Sequence, residues 1–302
     1  MTKRLERWGV PVALAAVYLI WGSTFAAISV AVRELPPFSM AGLRWLVAGG
    51  ALYAWLRLRG APRPSAATWR HAGIGGALLI LGGNGLVCWA EARVDSGLAA
   101  TLLAVTPLLV IVFEWLAFGG ERPPARTWAG VVAGLVGVGV LVGPRMSSEL
   151  GAVAALGLAA VCWAFGALHA RRAPRVGPIG SATQMIAGGA LLAVTGLATG
   201  EPLPTEVSVA SWLALAYLAA FGSIVGFGAY LYLTTRVRPS TLATHSFVNP
   251  VIAVLLGWLL LGEPFDTRSM VGAALVVLSV AAIVTRPRPS VPALARPVAT
   301  SR

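Results

Sequence analysis

The sequence predicts an all-α polytopic membrane protein of ten transmembrane helices, built as two inverted five-helix repeats with both termini cytoplasmic. Three observations carry that expectation. Hydrophobic residues make up 57% of the 302 and charged residues only 11%, whereas an ordinary soluble domain is about a quarter charged. Ten apolar runs succeed one another with short connections, each near the roughly 20 residues that cross a bilayer as a helix. The chain also says the same thing twice. Ala99-Ala100-Thr101, Thr106-Pro107, Trp115 and Gly120-Glu121 return as Leu242-Ala243-Thr244, Asn249-Pro250, Trp258 and Gly262-Glu263, 142 to 143 residues later.

The apolar runs occupy 9–32, 37–57, 71–91, 96–118, 125–143, 150–170, 178–199, 208–233, 239–261 and 267–285. A short N-terminal segment, 1–8, precedes the first repeat at 9–143, and the second repeat follows at 150–285. Trp21 against Trp163, Arg93-Val94 against Arg236-Val237, and Gly130 against Gly272 obey nearly the same offset. Five spans per repeat is an odd number, so the second half enters the membrane in the opposite sense, as in transporters with inverted halves. The first run resembles a signal peptide, since Lys3, Arg4 and Arg7 precede it; its correspondence with the sixth run argues that it is retained. Residues 286–302, with Pro287, Pro289, Pro292 and Pro297 among arginines, read as a disordered cytoplasmic tail.

Orientation follows from the basic residues. With the N-terminus inside, 18 of the 23 lysines and arginines fall in cytoplasmic segments. The outer segments hold only Arg33, Arg93, Arg145 and Arg268, with Arg44 inside the second span. The positive-inside rule then places both termini in the cytoplasm. Glu34, Glu91, Asp95, Glu149, Glu201, Glu206, Glu263 and Asp266 all fall on the outer side.

Several function classes are disfavoured. The net charge of +12 is dispersed between apolar runs, which topology explains better than nucleic acid. Cys88 and Cys162 both lie in apolar runs, so neither a disulfide framework nor a metal-ligand spacing is present, and no cofactor is expected. No G-x-x-x-x-G-K-[ST] loop occurs and the sole lysine is Lys3, so nothing implies an ATPase partner. Ser223 beside Gly222, with His245 or His169, is a weak trace of an intramembrane hydrolase, because no G-x-S-x-G surrounds it. The expected partners are a small-molecule substrate and membrane lipid; the oligomeric state is left open.

Ile20-Trp21-Gly22-Ser23-Thr24, Ala41-Gly42-Leu43-Arg44-Trp45, the Thr106-Pro107 and Asn249-Pro250 helices and the Gly-Glu pairs after spans four and nine together resemble the EamA-type drug/metabolite transporters. The likeness covers about residues 9–285, and bacterial inner-membrane exporters, YddG-like and YedA-like, are the nearest type. It implies a ten-helix, two-repeat fold, export of small organic solutes with neutral and aromatic amino acids as a leading class, and a site enclosed by spans one, three, four, six, eight and nine.

Pro107 and Pro250 sit near the centres of spans four and nine, where each removes a backbone donor and leaves the carbonyls of Leu103 and Ser246 without their usual partners. Such backbone is tolerated where it is protein-buried or lines a wet cavity. Either the two helices bend around a midplane cavity, or the prolines shape packing alone. Thr101 and Thr106, and Thr244, His245, Ser246 and Asn249, lie within two turns of these kinks. Threonines often bond their own backbone, whereas an amide or imidazole facing lipid is costly. Trp21 and Trp163 are read as cavity walls or as packing, and Asn84 in the third span as a further lining residue. Arg44 either anchors at the interface or pairs with a carboxylate. Glu114 either pairs with a connecting-segment arginine or couples protons. No acidic residue lies at a span centre, which favours neutral or zwitterionic metabolites over hydrophobic cations. A passive channel is the remaining rival.

Overall fold

The computed structural model describes residues 2–142, 146–173, 176–202, 204–234, 236–237, 239–242 and 244–284. The 286–302 tail, Arg145, Arg175, Arg238 and Ala243 lie outside the described residues. Among the described residues, all regular secondary structure is helical. The elements are α1 (Thr2–Ala31), α2 (Pro37–Leu58), α3 (Ala66–Gly75), a π-helical segment π1 (Gly76–Gly85), α4 (Leu86–Glu91), α5 (Ser96–Leu103), α6 (Thr106–Phe118), α7 (Ala125–Val142) and α8 (Met146–Arg172). They continue as α9 (Pro178–Ala198), α10 (Val209–Tyr217), π2 (Leu218–Val225), α11 (Gly226–Thr234), α12 (Pro239–Leu242), α13 (His245–Leu261) and α14 (Thr267–Val284).

Among the described residues, six stretches are long and apolar enough to cross a membrane: Gly9–Ala31, Ala66–Glu91, Ser96–Phe118, Glu149–Arg172, Pro178–Ala198 and Val209–Tyr230. Shorter apolar helices occupy Ala125–Val140, His245–Leu261 and Thr267–Ser279. Leu19, Val47, Leu135, Leu158, Val194, Leu213, Leu259 and Leu278 point outward and are exposed. On a soluble surface so much exposed leucine and valine would drive association; facing hydrocarbon, it is the solvent-matched side of the bundle.

Local chemistry explains the helix ends. Pro37, Pro107 and Pro178 occupy first-turn positions, where the missing N–H is not needed. Gly119 and Gly262, both at φ +69°, close α6 and α13, the left-handed stop that a glycine allows without Cβ strain. The residue after each such stop region is the glutamate of the repeated Gly-Glu pair.

The helices pack in a reciprocal pattern. α2 lies along α9 and α7 along α14; α1 packs on π2, α11 and α13, while α8 packs on π1, α4, α5 and α6. The α2–α9 contact is backbone-close: a Cβ at Gly42 would stand 2.9 Å from the Ala193 nitrogen, and one at Gly189 2.8 Å from that of Leu46. Small residues permit this, and lipid offers no hydrophobic drive to replace it.

Three carboxylates tie helix N-termini to distant parts of the chain. Glu201 accepts from the amides of Phe38 (2.9 Å) and Ser39 (2.7 Å) at the start of α2. Glu263 accepts from Ser96 (2.8 Å) and Gly97 (3.1 Å) at the start of α5. Glu34 accepts from the Ser208 amide (2.9 Å) and from the hydroxyls of Ser208 (2.7 Å) and Ser211 (2.6 Å) at the start of α10. Each anion meets unsatisfied N–H groups and the positive helix end.

The Ser211 hydroxyl, then the Ser208 hydroxyl and amide, hold the exposed Glu34 carboxyl below the usual carboxylate range. A depressed carboxylate contributes stability above its unfolded value and loses it as pH falls through the folded value. Thermal melts of the detergent-solubilised protein should therefore show an acid-side decline that is shallower in Glu34→Gln; identical pH profiles would show that this cap carries no linkage.

Candidate functional site

Two π-helical segments organise the interior. Wider i→i+5 turns are frequent at functional sites, and here they are glycine-rich: Gly82, Gly83 and Gly85 lie in π1, and Gly222 lies in π2 with Gly226 just after it. π1 and π2 begin 142 residues apart, and each faces an indole from another helix. Trp163 of α8 lies against Gly83, where a Cβ would overlap the indole. Trp21 of α1 lies against Gly226, where a Cβ would stand 2.6 Å from Nε1. Trp21 Nε1 donates to the Gly222 carbonyl at 3.2 Å, whereas Trp163 Nε1 is buried without a hydrogen-bond partner.

Around Trp21 an aromatic and polar cluster joins α1, α11 and α13. Its ring centroid is 5.2 Å from Tyr230 and 5.3 Å from His245, and Tyr230 and His245 are 6.1 Å apart. Thr244 donates to the Thr241 carbonyl at 2.6 Å, so its oxygen accepts from the Tyr18 hydroxyl. His245 Nδ1 lies 2.8 Å from the Leu242 carbonyl. A carbonyl only accepts, so Nδ1 carries the proton and Nε2 of the neutral ring is left as an acceptor. Ser246 is half-buried on the same turn; Asn249 and Pro250 are buried one turn further on, with Asn249 Oδ1 unpartnered.

The two proline helices open differently. In span four the α-helix stops at Leu103 and restarts at Thr106, with Pro107 in the first turn of α6. The Leu103 carbonyl, read from the sequence as lacking its usual partner, accepts from the Thr106 hydroxyl at 2.6 Å. In span nine the opening falls between Leu242 and His245, and Pro250 sits inside the continuous α13. The side chains of Thr244 and His245 take the carbonyls of Thr241 and Leu242, which places the opening a turn and more before the proline. The breaks are thus not at equivalent repeat positions.

The remaining sequence-selected residues sit apart from the Trp21 cluster. Asn84 Oδ1 accepts from Trp45 Nε1 at 2.9 Å, so it serves an α2–π1 contact. Thr101 is fully buried and donates to the Gly97 carbonyl at 2.7 Å. Glu114 pairs with Arg171 at 3.3 Å. Arg44 does not reach for the interface: it is 3% exposed, lies 4.8 Å over the Trp45 ring, and donates from Nε to Ser223 at 2.9 Å. Ser223 in turn donates to the Leu218 carbonyl five residues back at 3.1 Å, which fills a π turn. Gly222 provides the room, since a Cβ there would stand 3.0 Å from Arg44 Nη2.

A cavity of about 460 Å³ opens at the ends of α1 and α4, lined by Ser29, Arg33, Glu91, Arg93, Asp95 and Glu149 among others. None of the sequence-selected substrate residues lines it. Sequence reasoning missed Tyr18, Tyr230 and Glu91. Tyr18 was findable, because it stands three residues before Trp21 on one helix face; Glu91 closes the third apolar run and was counted with the outer-side acids, yet it is only 4% exposed.

Helical spans with lipid-matched outer faces and a polar-aromatic interior built on π turns define a multi-pass membrane transport protein. The chain belongs to the EamA-like transporter family, whose profile matches residues 7–143 and 150–285. It is 38% identical over 272 residues to the uncharacterized inner membrane transporter YedA of Escherichia coli K12, covering 89% of this chain and 88% of that one. It is 26% identical over 276 residues to a protein of the same organism named as a probable amino-acid metabolite efflux pump, covering 86% and 90%. A solved crystal structure superimposes with a TM-score of 0.64 at 25% identity, over 90% of this chain and 95% of that one.

Gly226→Ala should push the Trp21 indole off the Gly222 carbonyl, at a cost of about 1–3 kcal/mol for overpacking, and lower the melting temperature. Gly228→Ala, with nothing within 4 Å of its new methyl, should leave it unchanged. Equal melts for the two variants would dismiss the indole–π contact as a packing determinant.

Proposed function

We propose that this protein exports small neutral metabolites across the bacterial inner membrane, with amino acids, aromatic ones included, as the substrate class. In this reading the chain crosses ten times as two inverted repeats, 9–143 and 150–285, with both termini cytoplasmic, and works by alternating access. The matched family segments, the reciprocal packing of α1 and α8, and the two π segments at one repeat spacing support that architecture. The inner-membrane placement and the amino-acid class are supported by the names of the relatives described above.

The observation that carries the proposal is the pair of indoles seated on π1 and π2. Each offers a broad apolar face with a single donor; beside Trp21 stands an acceptor suited to an ammonium group, His245 Nε2, with the unpartnered Asn249 Oδ1 one turn further along α13. Among the described residues no carboxylate is hydrogen-bonded or stacked in the Trp21 cluster, which suits a zwitterion better than a lone cation. Breaks in α-helical bonding beside a substrate path recur in carriers of two inverted halves. Export of hydrophobic cations is the second reading, favoured by the Trp21, Tyr230 and His245 rings.

Reconstituted protein should catalyse saturable counterflow of labelled phenylalanine and threonine. Movement of a quaternary ammonium dye alone would transfer the assignment to cation export, and unsaturable leakage would indicate a channel. Trp163→Ala should shift the phenylalanine-to-threonine preference by about tenfold or more, as expected for loss of an apolar wall; a uniform loss for both would reduce Trp163 to packing. Asn249→Ala, correctly inserted, should lose flux, and normal flux would remove Asn249 from the path.

A further inference from the structure

Glu91 is a buried carboxylate with no side-chain partner. It ends α4, is 4% exposed and lines the cavity at the ends of α1 and α4; the backbone amide of Ser29 faces its carboxylate, and no side chain holds either oxygen. A buried ionised carboxylate in that condition is strongly disfavoured, and either a counter-ion or a proton must relieve it. The counter-ion within electrostatic reach is Arg44 of α2, itself buried with Nη1 unpartnered. The two groups do not touch. Arg44 instead spends Nε on Ser223 and its plane on Trp45.

We propose that Glu91 is a proton-binding site loaded from this outer cavity, and that its protonation state is exchanged with substrate through Arg44. The inference rests on the carrier reading above. A proton entering from outside adds to the Glu91 carboxylate and leaves Arg44 docked on π2. When that proton departs inward, the bare carboxylate draws Arg44 away from Ser223 and Gly222. Gly222 is also the acceptor of the Trp21 indole, so the charge on Glu91 bears on the substrate cluster through two consecutive residues of one π segment. By linkage, substrate and proton then alter each other's affinity by the same factor.

The neighbouring charges fit a proton better than a metal cation. Besides Arg44 of α2, the groups facing Glu91 are Cys88 of its own helix, Arg93 and Asp95 of the following turn, Glu149 of α8, Arg33 after α1 and Glu263 after α13. Glu263 is engaged on the start of α5, and Arg93 rests 3.8 Å over Trp89. Among the described residues no group of three or more His, Cys, Asp and Glu could hold a metal ion.

The test uses the full chain in proteoliposomes with labelled phenylalanine as probe and a trapped pH-sensitive dye. Wild type should exchange phenylalanine at equal pH, and a pH gradient should drive it uphill by about tenfold per pH unit for one proton per neutral substrate. Glu91→Gln should keep exchange but lose uphill movement and the dye response, while Glu91→Asp should keep all three. Wild-type exchange indifferent to pH, or uphill movement retained in Glu91→Gln, overturns the coupling and leaves the carrier reading standing. A sodium gradient that replaces the pH gradient overturns the proton assignment. Absence of wild-type exchange defeats the phenylalanine-carrier reading; the infrared band of a protonated carboxylic acid, present in wild type and missing in Glu91→Gln, then tests the proton site alone, and its absence from wild type overturns it.

Discussion

Everything in this bundle depends on one constraint: inside hydrocarbon, every backbone N–H and C=O must find a partner within the protein. Uninterrupted α-helix satisfies it and offers nothing to a solute. The chain departs from α-helix at π1, π2 and the openings in spans four and nine, and at several of these places a side chain takes up the displaced backbone group. Thr106 bonds the Leu103 carbonyl, His245 that of Leu242 and the Trp21 indole that of Gly222, while the Ser223 and Thr244 hydroxyls reinforce the Leu218 and Thr241 carbonyls. Polar residues that look dispersed in the sequence thus share one task, keeping irregular backbone satisfied at membrane depth.

That task also places the chemistry. Because Thr244 donates to a carbonyl, Tyr18 must donate to Thr244; because His245 holds the Leu242 carbonyl through Nδ1, its Nε2 is left as an acceptor. The cluster around Trp21 follows from local bonding rules, with no need for a bound ligand to shape it. The carboxylate caps at the starts of α2, α5 and α10 add a second layer. Glu34 and α10 come from opposite halves of the chain, as do Glu201 and α2, and Glu263 and α5. A motion that separates the halves at that end must release all three.

Much of the helical framework was legible in the sequence, because apolar length and glycine stops are local signals. The run 37–57 became Pro37–Leu58 and 96–118 became the pair α5 and α6. What was not legible was direction. Arg44 lies close enough to a span end to snorkel, and only the packing of α2 against π2 turns it inward. Glu91 closes the third apolar run, where an acid is expected to meet water, and nothing in the sequence signals its burial. The π segments leave no pattern beyond glycines, which equally signal close packing, and the asymmetry of the two proline helices depends on which carbonyls Thr244 and His245 capture.

The central claim is that the α1–α11–α13 cluster faces the substrate path. It is tested most directly by placing a single cysteine at Thr244 in a chain freed of Cys88 and Cys162, which are its two native cysteines, and following maleimide labelling with and without phenylalanine. Labelling that slows with rising substrate, in a variant that still transports, is the expected result. Labelling indifferent to substrate in an active variant would place the path elsewhere.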